Sequence, residues 1–369
     1  MGSTKSRFWN SRVNNLAPYI PGEQPKEQLI KLNTNENPYP PPPDVLHAMS
    51  RALNEKLRLY PDPCCTEVRE AVARRYSVEE NQVFIGNGSD EVLAFAFGAF
   101  FESAENSNAR PILFPEISYS FYPVFAKLWN LPYTAIPLGR EWEIKPEDYV
   151  INAGGVVLAN PNAPTGISIK ARDILDIADF HLAHNKLVLV DEAYADFSDD
   201  TILPYINDPL VSRDNILVVR TLSKSYSLAG LRVGFAIGSG ALITALESLR
   251  DSFNSYTIDR VAQAGAAAAL SNTAYYAEIT KKIIATRERI SKELLKLHFT
   301  VLPSSANFIF IKHPVMSGED FFLGLRKNGI LVRHFKHDKI VDFVRVTIGT
   351  DKDMDIFLEI CSAGIKSAQ

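Results

Sequence analysis

From residue 82 onward the chain alternates short apolar runs with longer stretches of helical period. The runs are QVFI at 82–85, PILF at 111–114, GVVLA at 155–159, KLVLV at 186–190 and NILVV at 215–219, and each ends in turn residues. None of them alternates with polar positions. Strands of a parallel sheet read this way, because helices cover both faces and leave no polar side. The pattern predicts an α/β fold with a mostly parallel sheet flanked by helices, lying within residues 45–245 of a large domain taken as 45–275.

Before it, Pro18, Pro21, Pro25, Pro38 and Pro40 to Pro43 exclude long helices and central strands, so residues 1–44 read as an arm that travels with the small domain. Helical periodicity begins near Asp44 and resumes over Thr66 to Tyr76. A long helix is expected over 275–298, with Ile279, Ile283, Ile290, Leu294 and Leu297 near one face. The pieces VLPSSANFIFI, ILVRHF and FVRVTIG, with a helical segment near Phe321 to Lys327, predict a small α+β domain over 276–369.

Composition narrows the function classes. Of 369 residues 46% are hydrophobic and 22% charged, as in a globular protein and unlike a disordered one. The 39 basic and 43 acidic residues leave a net charge of -4 with no long run of one sign, which argues against nucleic-acid or anionic-membrane partners. The richest apolar stretch, Val92 to Phe101, is too short to cross a bilayer, and MGSTKSRFW has no apolar core of secretory length. Cys64, Cys65 and Cys361 form neither a paired framework nor a CxxC spacing, so a reduced cytoplasmic setting is expected.

Ligands of open α/β sheets bind beyond the carboxyl ends of the strands, which directs attention to the residues after each apolar run. After QVFI, Gly86 to Glu91 read GNGSDE, followed by an apolar helical stretch. This is either a cradle of free backbone N–H groups for a phosphate or a glycine turn capped by Ser89 or Asp90. After KLVLV comes Asp191-Glu192-Ala193-Tyr194; a buried carboxylate there needs a cation, a metal or a donor, and no His or Cys follows at metal-ligand spacing. After NILVV, Lys224 stands between Ser223 and Ser225, with Arg232 eight residues on in a glycine-bracketed turn. A partly desolvated lysine there is a surface charge or a nucleophile toward a carbonyl. Asn160 to Gly166 form a rigid turn with an amide at Asn162, and Tyr119 offers a ring for stacking. Arg333 and Arg345, each in an apolar run, call for an anion, either an internal carboxylate or a ligand.

A phosphate cradle with a strand-end acid, a strand-end lysine and a following arginine meets the needs of pyridoxal 5'-phosphate. The order NPNAPTG, DEAY, TLSKSYSLAGLRVG and FVRVTIG resembles the fold-type I aminotransferases. Within them LNTNENPYPPP, RLYPDP, GNGSDE and ILVRHF follow the pattern of the histidinol-phosphate aminotransferase family, over about Leu16 to Thr350. The resemblance implies a homodimeric transaminase of histidine biosynthesis that moves an amino group between glutamate and histidinol phosphate or their keto partners. By the same resemblance Lys224 is the Schiff-base lysine and proton shuttle, Asp191 pairs with the pyridine nitrogen, and Tyr194 serves the ring hydroxyl. Gly88, Ser89, Asp90, Ser223 and Arg232 hold the phosphate, Tyr60 reaches it from the partner subunit, and Tyr119 stacks on the ring. Arg345 takes the donor's α-carboxylate, Arg333 the substrate phosphate, and Tyr19 and Asn35 close over the substrate.

One position departs from the family pattern, which places Asn directly before Pro-Thr-Gly where this chain has Ala163. Asn162 either substitutes from the neighbouring position or the bond is absent. Two rival chemistries use the same machinery: an aromatic amino-acid aminotransferase, and a threonine-phosphate decarboxylase. A non-catalytic binding module on this fold is disfavoured because the Lys, Asp and Arg set is complete.

Overall fold

The computed structural model describes residues 6–206 and 213–368, with side chains through residue 363. The first five residues of the proline-rich arm, part of the segment read for a secretory signal, lie outside them. In chain order the strands are β1 (Ile30–Lys31), β2 (Val83–Asn87), β3 (Ile112–Pro115), β4 (Tyr133–Ile136), β5 (Gly155–Ala159), β6 (Val188–Asp191), β7 (Ile216–Thr221) and β8 (Val233–Gly238). They continue with β9 (Thr300–Val301), β10 (Phe308–Lys312), β11 (Ile330–Leu331), β12 (Arg333–His334) and β13 (Phe343–Thr347).

The main sheet has seven strands in the order β2-β8-β7-β6-β5-β3-β4. From β7 through β4 all neighbours are parallel. The apolar runs conceal a period of two. Val156, Val188, Val190, Ile216 and Val218 enter the core on one face, whereas Val157, Leu189, Leu217 and Val219 enter that on the other. Both faces are sealed by helices, and each fully buried Val, Leu or Ile contributes roughly 1.5–3 kcal/mol.

Two strands differ from the sequence reading. QVFI does form a strand, but β2 pairs only with β8, and antiparallel. The segment read as a glycine-bracketed turn runs into β8 at Val233 and Gly234, and β8 is antiparallel to β7 as well. Two glycines within VGFAIG hid an otherwise apolar strand whose residues are all buried. Gly234 is there because the Gly88–Ser89 backbone crosses it: a Cβ would stand 2.4 Å from the Ser89 nitrogen. That close approach fixes the start of the Gly88–Phe100 helix against the sheet.

The second sheet is antiparallel, in the order β12-β13-β10-β9, and packs around Phe357, Ile290, Leu294 and Val344. The long helix runs Thr273–Lys296, with Ile279, Ile283, Ile290 and Leu294 buried as its periodicity requires. Leu297 is its C-cap, only partly buried. In the arm, β1 pairs in parallel with β11, and Leu32 enters the same core as β13. This docking carries residues 33–37 across to the ends of β6 and β7.

Candidate active site

Parallel strands β5, β6 and β7 end at one edge of the sheet, and β8, running the other way, begins there. Their loops therefore meet the N-terminus of the Gly88–Phe100 helix in one pocket, lined among others by Ser89, Tyr119, Asp191, Tyr194, Lys224 and Arg232. Asp90 and Ser223 line it too, and so does Ala163.

At the helix start Gly88 has φ +76°, a conformation glycine adopts without strain. A Cβ there would meet Arg232 Nη2 at 2.6 Å, so the guanidinium lies directly over the turn. The N-cap is Asn87, and neither Ser89 nor Asp90 caps the helix. Asp90 instead accepts from the Tyr119 hydroxyl at 2.6 Å and from Arg232 Nη2 at 3.2 Å. Arg232 Nη1 donates to Ser223 Oγ at 3.3 Å. N–H groups at a helix N-terminus beside a guanidinium and a serine hydroxyl are donors of the kind that suit an anion.

Asp191 is 5% exposed at the last position of β6. Its carboxylate accepts from the Tyr122 hydroxyl at 2.9 Å and from the Ala193 N–H at 3.2 Å, and no cation faces it among the described residues. Burial, partly offset by those bonds, pushes its pKa up to about 6. A buried acid of this kind is poised to receive a cationic N–H donor.

Lys224 Nζ donates to the Thr34 carbonyl at 3.1 Å and lies 5.7 Å from the centroid of the Tyr194 ring. The Tyr194 hydroxyl accepts from Asn35 Nδ2 at 2.8 Å, and Asn35, itself buried, also bonds Thr347. The arm thus touches both groups. Tyr19 stacks on Phe121 at 4.4 Å, beside the Tyr119 ring.

Arg345 Nη2 donates to the Asn33 carbonyl at 3.0 Å, while its buried Nε has no partner. Desolvation first, then the neighbouring Arg333, push its pKa down. Arg333 Nη2 bonds the Ile20 carbonyl at 3.2 Å. Among the described residues neither arginine makes an ion pair, so the internal salt bridge open at the level of sequence is not formed. Both remain available to an anion.

One expected position differs. Asn162 is buried with its amide committed to its own turn and to the loop after β3: Nδ2 donates to Thr165 Oγ1 and Ile117 O, and Oδ1 accepts from Ser118 Oγ. It does not line the pocket, so it cannot replace the amide missing at Ala163. A one-residue displacement along the turn reverses which side chain faces inward. Tyr60 is 77% exposed and stacks on Tyr256, away from this chain's own pocket. The residues missed by sequence reasoning are Tyr122, hidden within an aromatic run, and Thr34 and Asn37 of the arm, which act on Lys224 and its carbonyl.

A sequence-family model described as aminotransferase class I and II matches residues 27–360. The chain is similar to the histidinol-phosphate aminotransferase of Clostridium beijerinckii, 49% identical over 355 residues covering 96% of each chain. It is likewise 49% identical to that of Clostridium acetobutylicum, over 96% of this chain and 98% of the relative. The solved histidinol-phosphate aminotransferase of Sinorhizobium meliloti in complex with pyridoxal-5'-phosphate shares its fold, with a TM-score of 0.86 at 24% identity over 99% of this chain and 100% of that one. Strand-end chemistry, pocket and relatives agree, and the chain belongs to the histidinol-phosphate aminotransferases within the class I and II aminotransferase family.

Proposed function

We propose that this chain reversibly transfers an amino group between glutamate and imidazole-acetol phosphate, giving 2-oxoglutarate and histidinol phosphate, as a cytoplasmic homodimer. The observation that carries the substrate reading is the cross-strand pair Arg333 and Arg345, which makes no ion pair among the described residues and of which Arg345 lies near the pocket residues Tyr194 and Tyr119. Two separate cations suit substrates that carry an α-carboxylate in one half-reaction and a phosphate in the other.

The pocket fits pyridoxal 5'-phosphate on three counts: a glycine turn under Arg232, a buried acid lacking a cation, and a lysine amine beside a tyrosine ring. When bound, the coenzyme supplies an aldehyde that captures amines and a ring that withdraws electrons from the substrate carbon. The N–H groups of Gly88, Ser89 and Asp90, with Ser223 and Arg232, would hold its phosphate. Asp191, anchored by Tyr122, would accept the ring N–H; its raised proton affinity makes that bond strong. Tyr194 would donate toward the ring hydroxyl, and Tyr119, tethered to Asp90, would cover one face. Lys224 Nζ would take and return the proton at the donor's α-carbon. Arg345 would orient the α-carboxylate and Arg333 the phosphate, with Tyr19 and Asn35 excluding water from the arm side.

Exposed Leu53, Leu57, Leu59 and Tyr60 support the homodimer, since several large apolar side chains left in water along one short stretch of chain mark an interface. Across it Tyr60 would reach the partner's phosphate site. No described helix is long and apolar enough to cross a membrane. The test is a comparison of amino donors with 2-oxoglutarate as acceptor. Histidinol phosphate should give the highest kcat/KM; a preference for phenylalanine, or release of carbon dioxide from threonine phosphate, would overturn the substrate assignment.

A further inference from the structure

Lys224 follows β7 and Asp191 ends the neighbouring β6, and the residue after each of them enters one ionic chain, buried at Arg220 and Glu192 and half-buried at Asp196. Ser225, 3% exposed, donates its hydroxyl to Asp196 Oδ2. Asp196 Oδ1 accepts from Arg220 Nη1 at 2.9 Å, and Arg220 Nε and Nη2 donate to Glu192 Oε2 at 3.0 and 2.7 Å. Glu192 also accepts from the Thr201 hydroxyl and the Ile202 N–H. The Arg220 guanidinium rests 5.1 Å over the Tyr76 ring. The chain Ser225, Asp196, Arg220, Glu192 thus begins one residue beyond the amine and ends one residue beyond the acid. From the other side Asn37 Nδ2 donates to the Lys224 and Ser225 carbonyls, each at 3.1 Å.

A buried ion pair of this kind returns little net stability, because desolvation offsets the attraction. What it secures is geometry, since the planar fork of Arg220 admits few arrangements of its two carboxylates. Asp196 is the member that joins the two halves. We propose that Asp196 is a positioning residue for Lys224: by accepting from Ser225 and Arg220 together, it locks the peptide carrying the reacting amine to the loop that follows Asp191. This rests on the roles given above to Lys224 and Asp191. A misplacement of the amine by about 1 Å costs up to ~100-fold in rate, so a link one residue away is a sensitive control.

The test uses the full-length protein loaded with pyridoxal 5'-phosphate, as Asp196→Ala, Asp196→Asn and Ser225→Ala. The visible absorbance of the bound coenzyme is titrated against pH, and kcat and KM are measured for glutamate. Asp196→Ala and Ser225→Ala should shift the absorbance midpoint by about 0.5 pH unit or more. They should also lower kcat on the order of tenfold, with glutamate KM within about twofold of the parent. Asp196→Asn, still able to accept a hydrogen bond, should recover part of both effects. Ser225→Ala removes no charge, so its shift separates positioning from a simple field effect, and it carries the test alone if Asp196→Ala does not fold. Unshifted midpoints in folded Ser225→Ala and Asp196→Ala would overturn the proposal. A parent protein that shows no borohydride-bleachable absorbance would instead overturn the role of Lys224.

Discussion

Arg333 and Arg345 stand directly opposite each other on the antiparallel strands β12 and β13. Their guanidinium carbons lie 5.7 and 5.5 Å from the centroid of the same Phe335 ring. Like charges in facing positions destabilise a sheet. Here no carboxylate among the described residues relieves them, and Arg345 is a desolvated cation with an orphan Nε. An arrangement that costs the empty protein free energy is favourable for a ligand that brings the missing negative charge.

The two arginines should therefore separate by half-reaction. Arg345→Ala is expected to raise KM for glutamate by 10- to 100-fold, the loss of one charge-assisted pair worth ~1.5–3 kcal/mol. Arg333→Ala should raise KM for histidinol phosphate by a similar factor, change that for glutamate less than about threefold, and leave the melting temperature unlowered. Steady-state kinetics with each substrate varied in turn, plus a thermal scan, check this; equal effects of both variants on both substrates would refute the division.

Lys224→Ala should abolish turnover and the yellow absorbance that borohydride bleaches, while still binding the coenzyme through its phosphate. Stopped-flow spectra with glutamate and mass spectrometry after reduction read both. A variant that transaminates at the parent rate would remove Lys224 from the chemistry.

Asp191 makes stability depend on pH. Its native pKa, raised from the ordinary 3.8 to about 6 by burial, means that the folded, coenzyme-free protein holds a proton that the unfolded chain has released. The unfolded state therefore binds fewer protons between those values, and stability is lost as pH rises from about 4 through about 6, by roughly 3 kcal/mol at most. Asp191→Asn should flatten that decline in urea unfolding of the coenzyme-free protein. Tyr122→Phe, which removes a bond to the ionised form, should extend the decline to higher pH. Identical profiles for parent and Asp191→Asn would show that another group governs it.

Gly88→Ala forces a Cβ against Arg232 and a side chain into positive φ. A cost of ~1–2 kcal/mol, falling on the anion site, should weaken coenzyme affinity about 5- to 30-fold with kcat at saturating coenzyme nearly kept. Equilibrium titration of the coenzyme measures it; unchanged affinity would mean that this turn does not carry the phosphate.

Much of this was legible along the chain. A buried strand reads as an uninterrupted apolar run, and the polar residues within a few positions of its end gather at the sheet edge, so the sequence alone could assign Asp191 and Lys224 to one site. Their neighbours in sequence share that edge because chain connectivity puts them there. Relations between distant residues were not legible. That Arg333 meets Arg345 depends on the register of two strands, and a slip by one residue would send either side chain to the opposite face. The inward turn of Ala163 rather than Asn162, the bond from Tyr119 to Asp90 and the closure of Ser225 on Asp196 were equally hidden. Local sequence sets which backbone states and which faces are available, whereas the partners of a polar group are chosen by the packing of the whole fold, in which desolvation penalises every alternative that leaves a buried donor or charge alone.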